Sequence, residues 1–208
     1  MDAMYRIDAV VFDHGGVLTT PIDPALAASA TEAGLSVATV LDSFREPNVS
    51  EAMRQLETGA IGVDEFRTVA HAYAPHVIDL FDPRRKLFFG HRLQALPAAE
   101  ELLRRLYARR IRTAVCSNSP REWMAVLEHT IPARSLFESE VWSWRIGRRK
   151  PDEAVFRRVL TDLGTAAADT LFLDDSKSTI EAAAAFGFQT LHVVEPLEAL
   201  NEVNRNLG

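Results

Sequence analysis

Short apolar runs recur along this chain, and four of them lead to a polar residue. Asp8-Ala9-Val10-Val11-Phe12 runs into Asp13-His14-Gly15-Gly16-Val17. A continuous apolar run of this kind predicts a buried strand, and the glycine pair predicts a turn at its carboxyl end. Thr113-Ala114-Val115-Cys116 ends in Ser117-Asn118, Glu140-Val141-Trp142 leads to Lys150, and Thr170-Leu171-Phe172-Leu173 ends in Asp174-Asp175. Gln189 to Val194 supplies a last strand. Helix signals alternate with these runs. Pro97 opens one helix with the stripe Leu102, Leu103, Leu106 and Tyr107, and Pro151 opens another carrying Val155, Phe156, Val159, Leu160 and Leu163 before Gly164. Ser119-Pro120-Arg121-Glu122 has the form of a capping box for a helix reaching about His129, and Ser178-Thr179-Ile180-Glu181 repeats that form over an Ala-rich helix. Such alternation predicts a parallel sheet covered on both faces, with ligands beyond the carboxyl ends of its strands.

Between Pro21 and about Arg92 no strand pattern appears. Helix-like stretches occupy Ala25 to Ala33, Val37 to Phe44, Val49 to Leu56 and Val63 to Ala74, broken by Gly34, Pro47, Gly59, Gly62 and Pro75. The predicted fold class is therefore α/β: a Rossmann-like parallel-sheet core from residues 1–19 and 93–208, with a small helical bundle inserted over 20–92. Composition narrows the function classes. The net charge of −6 argues against a nucleic-acid surface as the main partner. The single cysteine, Cys116, permits no internal disulfide and no cysteine-based zinc site. It reads as inert core, and Trp142 and Trp144 as residues that pack or line the mouth of a site. Ala9-Val10-Val11-Phe12 is too short for a signal peptide's apolar region or a membrane span, so the reading is a cytoplasmic protein without membrane attachment.

In a parallel sheet the four polar signatures converge on one edge. Three carboxylates (Asp13, Asp174, Asp175) and one ammonium (Lys150) suit a divalent cation and an anion together, because magnesium prefers hard oxygen ligands and takes only a few from protein. Lys150 is a choice against the chain's habit, since only Lys86, Lys150 and Lys177 among its 23 basic residues are lysines. It is read at a helix start, where the macrodipole disfavours a cation, which favours a ligand-facing role.

The order and spacing of these residues resemble the haloacid dehalogenase-like superfamily over nearly the whole chain. Asp13 matches its first motif, Ser117 its second, Lys150-Pro151 its third and Asp174-Asp175 its fourth, and the helical insertion looks like that family's cap. Phe-Asp-His-Gly-Gly-Val, Ser-Asn-Ser, Arg-Lys-Pro-Asp and Phe-Leu-Asp-Asp-Ser are most similar to the branch with α-D-glucose-1-phosphatase and the phosphatase domain of soluble epoxide hydrolase. The resemblance implies a magnesium-dependent phosphatase acting on a small phosphorylated metabolite, a sugar phosphate first; a monomer or homodimer is expected. Asp13 would attack phosphorus, with Ser117 and Lys150 as its catalytic partners. Asn118, Gly15 and Gly16 would bind substrate. Mg2+ would be held by Asp13, the Gly15 carbonyl and Asp175, with Asp174 beside it.

One position departs from the pattern. Most phosphatases of that superfamily carry a second Asp two residues after the nucleophile as general acid and base, whereas this chain has Gly15. His14 is the nearest titratable side chain and could supply the proton, but neighbours on extended backbone face opposite ways, so it reads first as a residue packing against the sheet or cap. Two alternatives stay open: carbon–halogen hydrolysis, which needs no metal, and a phospho-ligand binder without turnover. Candidate cap contacts are Thr19-Thr20-Pro21 and the stretch Glu57 to Gly62, which sequence does not rank.

Overall fold

The computed structural model describes residues 7–206. Five strands, β1 (Ala9–Phe12), β2 (Arg112–Ser117), β3 (Ser139–Trp142), β4 (Thr170–Asp174) and β5 (Gln189–His192), form one sheet in the order β3-β2-β1-β4-β5. Every pairing is parallel. The helices are α1 (Ile22–Glu32), α2 (Val37–Arg45), α3 (Pro47–Glu57), α4 (Val63–Tyr73), α5 (Ile78–Phe81), α6 (Pro97–Ala108), α7 (Met124–Leu127), α8 (Ser143–Ile146), α9 (Glu153–Leu163), α10 (Lys177–Phe186) and α11 (Pro196–Asn206).

The apolar run of β1 is continuous because both of its faces are covered. Val10 and Phe12, with Val115 and Leu173 beside them, pack on Leu102 and Leu106 of α6 and on Leu200 and Val203 of α11. Ala9 and Val11, with Ala114, Cys116 and Phe172, face Val155, Phe156 and Val159 of α9 and Ala183 of α10. The two-residue alternation is present but hidden, since either side of a doubly covered sheet demands an apolar residue.

The inserted helices have a core of their own, built on Val40, Val49, Leu56, Phe66, Ala70, Leu80 and Phe88. Their starts are set locally: Ser36 accepts from Thr39 N at 3.0 Å at the head of α2, and Glu46 accepts from Val49 N at 2.9 Å at the head of α3. The chain passes between this unit and the sheet twice, and the crossings lie side by side. Thr20 N donates to Gln94 O (2.9 Å) and Leu96 N to Leu18 O (3.0 Å) around an antiparallel bridge of Thr19 with Ala95. Among the described residues no single helix is long and apolar enough to cross a membrane.

Three local expectations need correction. Ser119 does not cap a helix: a 3-10 turn starts at Arg121, with only α7 and a further 3-10 turn beyond it. Glu122, the expected partner in that box, accepts from Val63 N at 3.4 Å at the head of α4. Its neighbour Trp123 is buried among Phe81, Phe88 and Phe89, with Nε1 donating to Phe81 O at 3.0 Å. Burying Trp123 against the insertion overrides the local capping pattern. The second box is displaced by two residues, because Ser176 caps α10 and Ser178 lies inside it. Pro151 does not open a helix either; α9 starts at Glu153 behind its cap Asp152, so Lys150 sits in the preceding loop, away from the helix dipole.

Phe172 is fully buried on β4 between Phe156 and Phe188, with ring centroids at 5.6 and 5.3 Å, and the Lys150 ammonium lies 5.9 Å above its ring. Phe172→Ala is expected to cost about 3–5 kcal/mol, by lost transfer energy and a cavity under the lysine. Urea unfolding checks this: the midpoint falls while the slope is unchanged.

Candidate active site

The strand register assembles the site. Phe12 pairs with Leu173 on one side and Val115 on the other, so the residues that follow, Asp13, Asp174 and the pair Cys116-Ser117, reach one sheet edge together. Asp13 N donates to Leu173 O at 2.9 Å, which carries the ladder one residue past the strand. Carboxylate oxygens of Asp13, Asp174 and Asp175 lie within 4.8 Å of one another.

Lys150 comes to this edge from the loop after β3. Its Nζ lies 2.5 Å from Asp174 Oδ2 and 3.1 Å from Asp13 Oδ1, and the residue is only 3% exposed. Burial alone would favour its neutral form, but the two carboxylates outweigh burial and hold it charged above the usual lysine range. Asn118 fixes the lysine's backbone from both sides: its Nδ2 donates to Lys150 O (3.0 Å) and its Oδ1 accepts from Lys150 N (2.8 Å). Asp174 also accepts from Ser176 N at 2.8 Å. Ser117 closes β2 opposite Trp142 and is buried.

The turn after Asp13 depends on its glycines. Asp13 Oδ1 accepts from His14 N at 2.6 Å, Thr19 N closes back to His14 O at 3.2 Å, and Gly16 N donates to Thr19 Oγ1 at 3.3 Å. Gly16 has φ +73°, and a Cβ there would sit 2.6 Å from Asp175 Oδ2. Only glycine allows both that backbone and the approach of the carboxylate. A Cβ on Gly15 would sit 2.5 Å from Ile22 Cδ1, so the space beside residue 15 is already occupied by α1.

His14 turns away from this chemistry. It is 2% exposed, its Nε2 pairs with Thr130 Oγ1 at 2.9 Å, and its ring meets Trp142 edge-on at 5.9 Å. Burial lowers its pKa to about 4, and Asp13 opposes that only in part. Cys116 is wholly buried and its thiol is pushed up to about 12 by that burial, so it is inert.

With all three carboxylates ionised, one ammonium would leave two negative charges in excess, a state that burial and mutual repulsion oppose. Burial first, then the charges of Asp13 and Asp174, push Asp175 up to about 7. A hard dication is the group such a set accommodates, since all the donors are oxygens and a cation would relieve their mutual repulsion.

The profile of haloacid dehalogenase-like hydrolases matches residues 7–187. The chain belongs to the haloacid dehalogenase-like hydrolases. It is 31% identical over 107 residues to a sesquiterpene phosphatase of Aspergillus oryzae, covering 51% of this chain and 55% of that protein. With a phosphoglycolate phosphatase of Pseudomonas fluorescens it shares 26% identity over 182 residues, 86% of this chain and 66% of the relative. The chain thus spans about half to two thirds of these two relatives' lengths. A HAD-like hydrolase from Porphyromonas gingivalis superposes with a TM-score of 0.70 at 22% identity, over 96% of this chain and 98% of that one. A HAD family enzyme from Bacteroides thetaiotaomicron, solved with magnesium and inorganic phosphate, gives 0.64 at 21% identity over 91% and 96%. An L-2-haloacid dehalogenase from Xanthobacter autotrophicus gives 0.62 at 18% identity over 89% and 77%. At such identities these structures establish the shared fold of this hydrolase family.

Sequence reasoning missed Thr130, which holds His14, and Ser143, whose hydroxyl donates to the Glu57 carbonyl at 2.6 Å and accepts from Ser119 N at 3.0 Å. Neither carries a local signal. Arg149, next to Lys150 in the sequence, pairs with Glu57 at 2.7 Å.

The buried neutral His14 makes an acid-sensitive contribution to stability. Its folded pKa of about 4 lies below the ordinary 6.5, so as pH falls through 6.5 the unfolded chain takes the proton first and folding weakens until about pH 4. Relative to His14→Gln, the native protein is expected to lose roughly 1.4 kcal/mol per pH unit across that window and nothing above it. Paired urea titrations between pH 8 and pH 4 measure the difference.

Proposed function

We propose that this chain is a magnesium-dependent phosphatase of a small phosphorylated metabolite, with Asp13 as nucleophile. The observation that carries this reading is the edge where Asp13, Asp174 and Asp175 converge around a buried Lys150, three carboxyl groups to one ammonium. A carbon–halogen hydrolase of this fold needs a nucleophile but no dication, so the excess carboxylates favour phosphate and metal. The phosphatase relatives support the same choice.

In this reading an Asp13 carboxylate oxygen attacks phosphorus in line with the leaving oxygen, and water then hydrolyses the aspartyl-phosphate. Lys150 holds Asp13 in place and offsets its charge. Ser117 and backbone N–H groups near Gly16 bind phosphate oxygens, while Asn118 fixes the lysine's loop and borders the substrate. Asp13, the Gly15 carbonyl and Asp175 would hold Mg2+, with Asp174 beside them. The ion, when bound, supplies positive charge that offsets nucleophile and phosphate together. Residues 20–92 act as the cap that covers the site and selects substrate, and residues 1–19 and 93–208 form the core domain; residues 1–6 and 207–208 lie outside the described structure. A sugar phosphate is the first substrate to try.

Phosphate release from a panel of sugar, nucleotide, prenyl and two-carbon phosphates tests the proposal. The expected result is release that needs Mg2+, stops in EDTA, returns with added Mg2+ and falls to background in Asp13→Asn. Halide release from a 2-haloacid in EDTA would establish the dehalogenase reading instead. Tight binding of a phosphorylated ligand with no release across the panel would establish the binder.

A further inference from the structure

In-line attack fixes where the leaving group lies. Asp13 stands at the sheet edge, so the departing oxygen, on the far side of phosphorus, points away from the sheet toward the inserted helices. A departing alkoxide needs a proton there, and the groups already described do not supply one. Asp13 is the nucleophile, and Asp174 and Asp175 serve the cation. Lys150 is fixed between two carboxylates, and His14 faces Thr130. The volume beside Gly15 is filled by Ile22.

Glu57, the last residue of α3, approaches the Lys150 loop from the helical side. Its side chain is 15% exposed, and its Oε2 lies 2.7 Å from Arg149 Nε, the residue next to Lys150. Both atoms are buried, and neither has an aligned hydrogen-bond partner. The backbone around it is fastened to the core: Ser143 Oγ donates to Glu57 O, and a Cβ on Gly59 (φ +71°) would sit 2.9 Å from Trp144 O. The carboxyl group is thus held at the seam between the inserted helices and the Lys150 loop, with Oε2 buried against Arg149.

We propose that Glu57 is the acid–base residue of the reaction, supplied by the inserted helices in place of a side chain at position 15. This rests on the phosphatase reading above. As an Asp13 oxygen bonds to phosphorus and the bond to the leaving oxygen breaks, the Glu57 carboxyl gives that oxygen its proton, releasing an alcohol. The resulting carboxylate, beside Arg149, then takes a proton from water as that water's oxygen bonds to phosphorus. The bond to Asp13 breaks, inorganic phosphate leaves, and Glu57 is again protonated. The charged groups acting on Glu57 fit this cycle. Burial is the largest influence and raises its pKa above the ordinary carboxylate value; Arg149 and Lys150 oppose this, and Asp13 adds to it. An acid held nearer to working pH is the more effective one.

The test compares full-length Glu57→Gln with the native protein in Mg2+, on an alkyl phosphate that the native protein hydrolyses and on p-nitrophenyl phosphate, whose leaving group needs little protonation. The expected result is a fall of about 10²–10⁴-fold in kcat on the alkyl phosphate with loss of one limb of the pH profile. With p-nitrophenyl phosphate the variant should give a rapid stoichiometric burst of nitrophenol followed by slow turnover. Glu57→Asp, which keeps the carboxyl group, should keep the pH limb and serves as the folding control. Activity of Glu57→Gln within about threefold on the alkyl phosphate, or equal loss on both substrates with an unchanged pH profile, would overturn the assignment and leave the phosphatase reading intact. No phosphate release by the native protein from any monoester would overturn both.

Discussion

A buried ammonium between two carboxylates organises this molecule. Lys150 is removed from water by Phe172 beneath it and by the loop that Asn118 clamps, and Asp13 and Asp174 compensate its charge. Such a triad is weak evidence for stability, because desolvation offsets much of the Coulomb gain, whereas removing one partner leaves an uncompensated buried charge and costs about 3–5 kcal/mol. Its value lies in geometry. Two strand ends and a distant loop meet through one nitrogen, so the position of the Asp13 oxygens depends on β1, β4 and the segment after β3 together.

The same edge shows how the backbone makes room for an ion. Gly16 lets Asp175 come closer than any side chain would permit, and Thr19 closes the turn by accepting from Gly16 N. The three carboxylates therefore stand nearer one another than their charges favour, and the rise of Asp175 to about 7 expresses that repulsion after its burial. A dication relieves it, and protons do so less completely, since each neutralises a single group.

The sheet and its edge were legible because both follow from local sequence. Apolar runs doubly covered by helices carry a strong signal, and Asp13, Ser117, Lys150 and Asp174 fall at the ends of those runs or just beyond them. The helix starts after β2 and β4 were not legible. Ser119 and Ser178 match a capping pattern, but Trp123 finds more apolar surface against the insertion, and Ser176 reaches Thr179 N first, positioned by Asp174. Lys150 was placed correctly at the edge for a partly wrong reason, since no helix begins at it. Glu57 could be named from sequence but not ranked, because its ties to Ser143 and Arg149 span most of a hundred residues and leave no periodic trace.

The helical unit meets the core through two seams of different character. One is aromatic: Trp123 lies within 5.2 to 6.4 Å of Phe81, Phe88 and Phe89, and its indole N–H is satisfied by Phe81 O. The other is polar, made by Ser143 and Arg149 on Glu57. Parting the first would expose an aromatic cluster, each ring of which is worth about 1.5–3 kcal/mol or more in burial. Parting the second exchanges hydrogen bonds and the Glu57–Arg149 contact for water, which returns those polar groups to solvent. The two antiparallel crossings at Thr20 and Gln94 lie on neither seam, so they join the units covalently without deciding which seam is weaker. That asymmetry leaves the Glu57 side as the less costly one to open, and it is the side on which an in-line leaving group would sit.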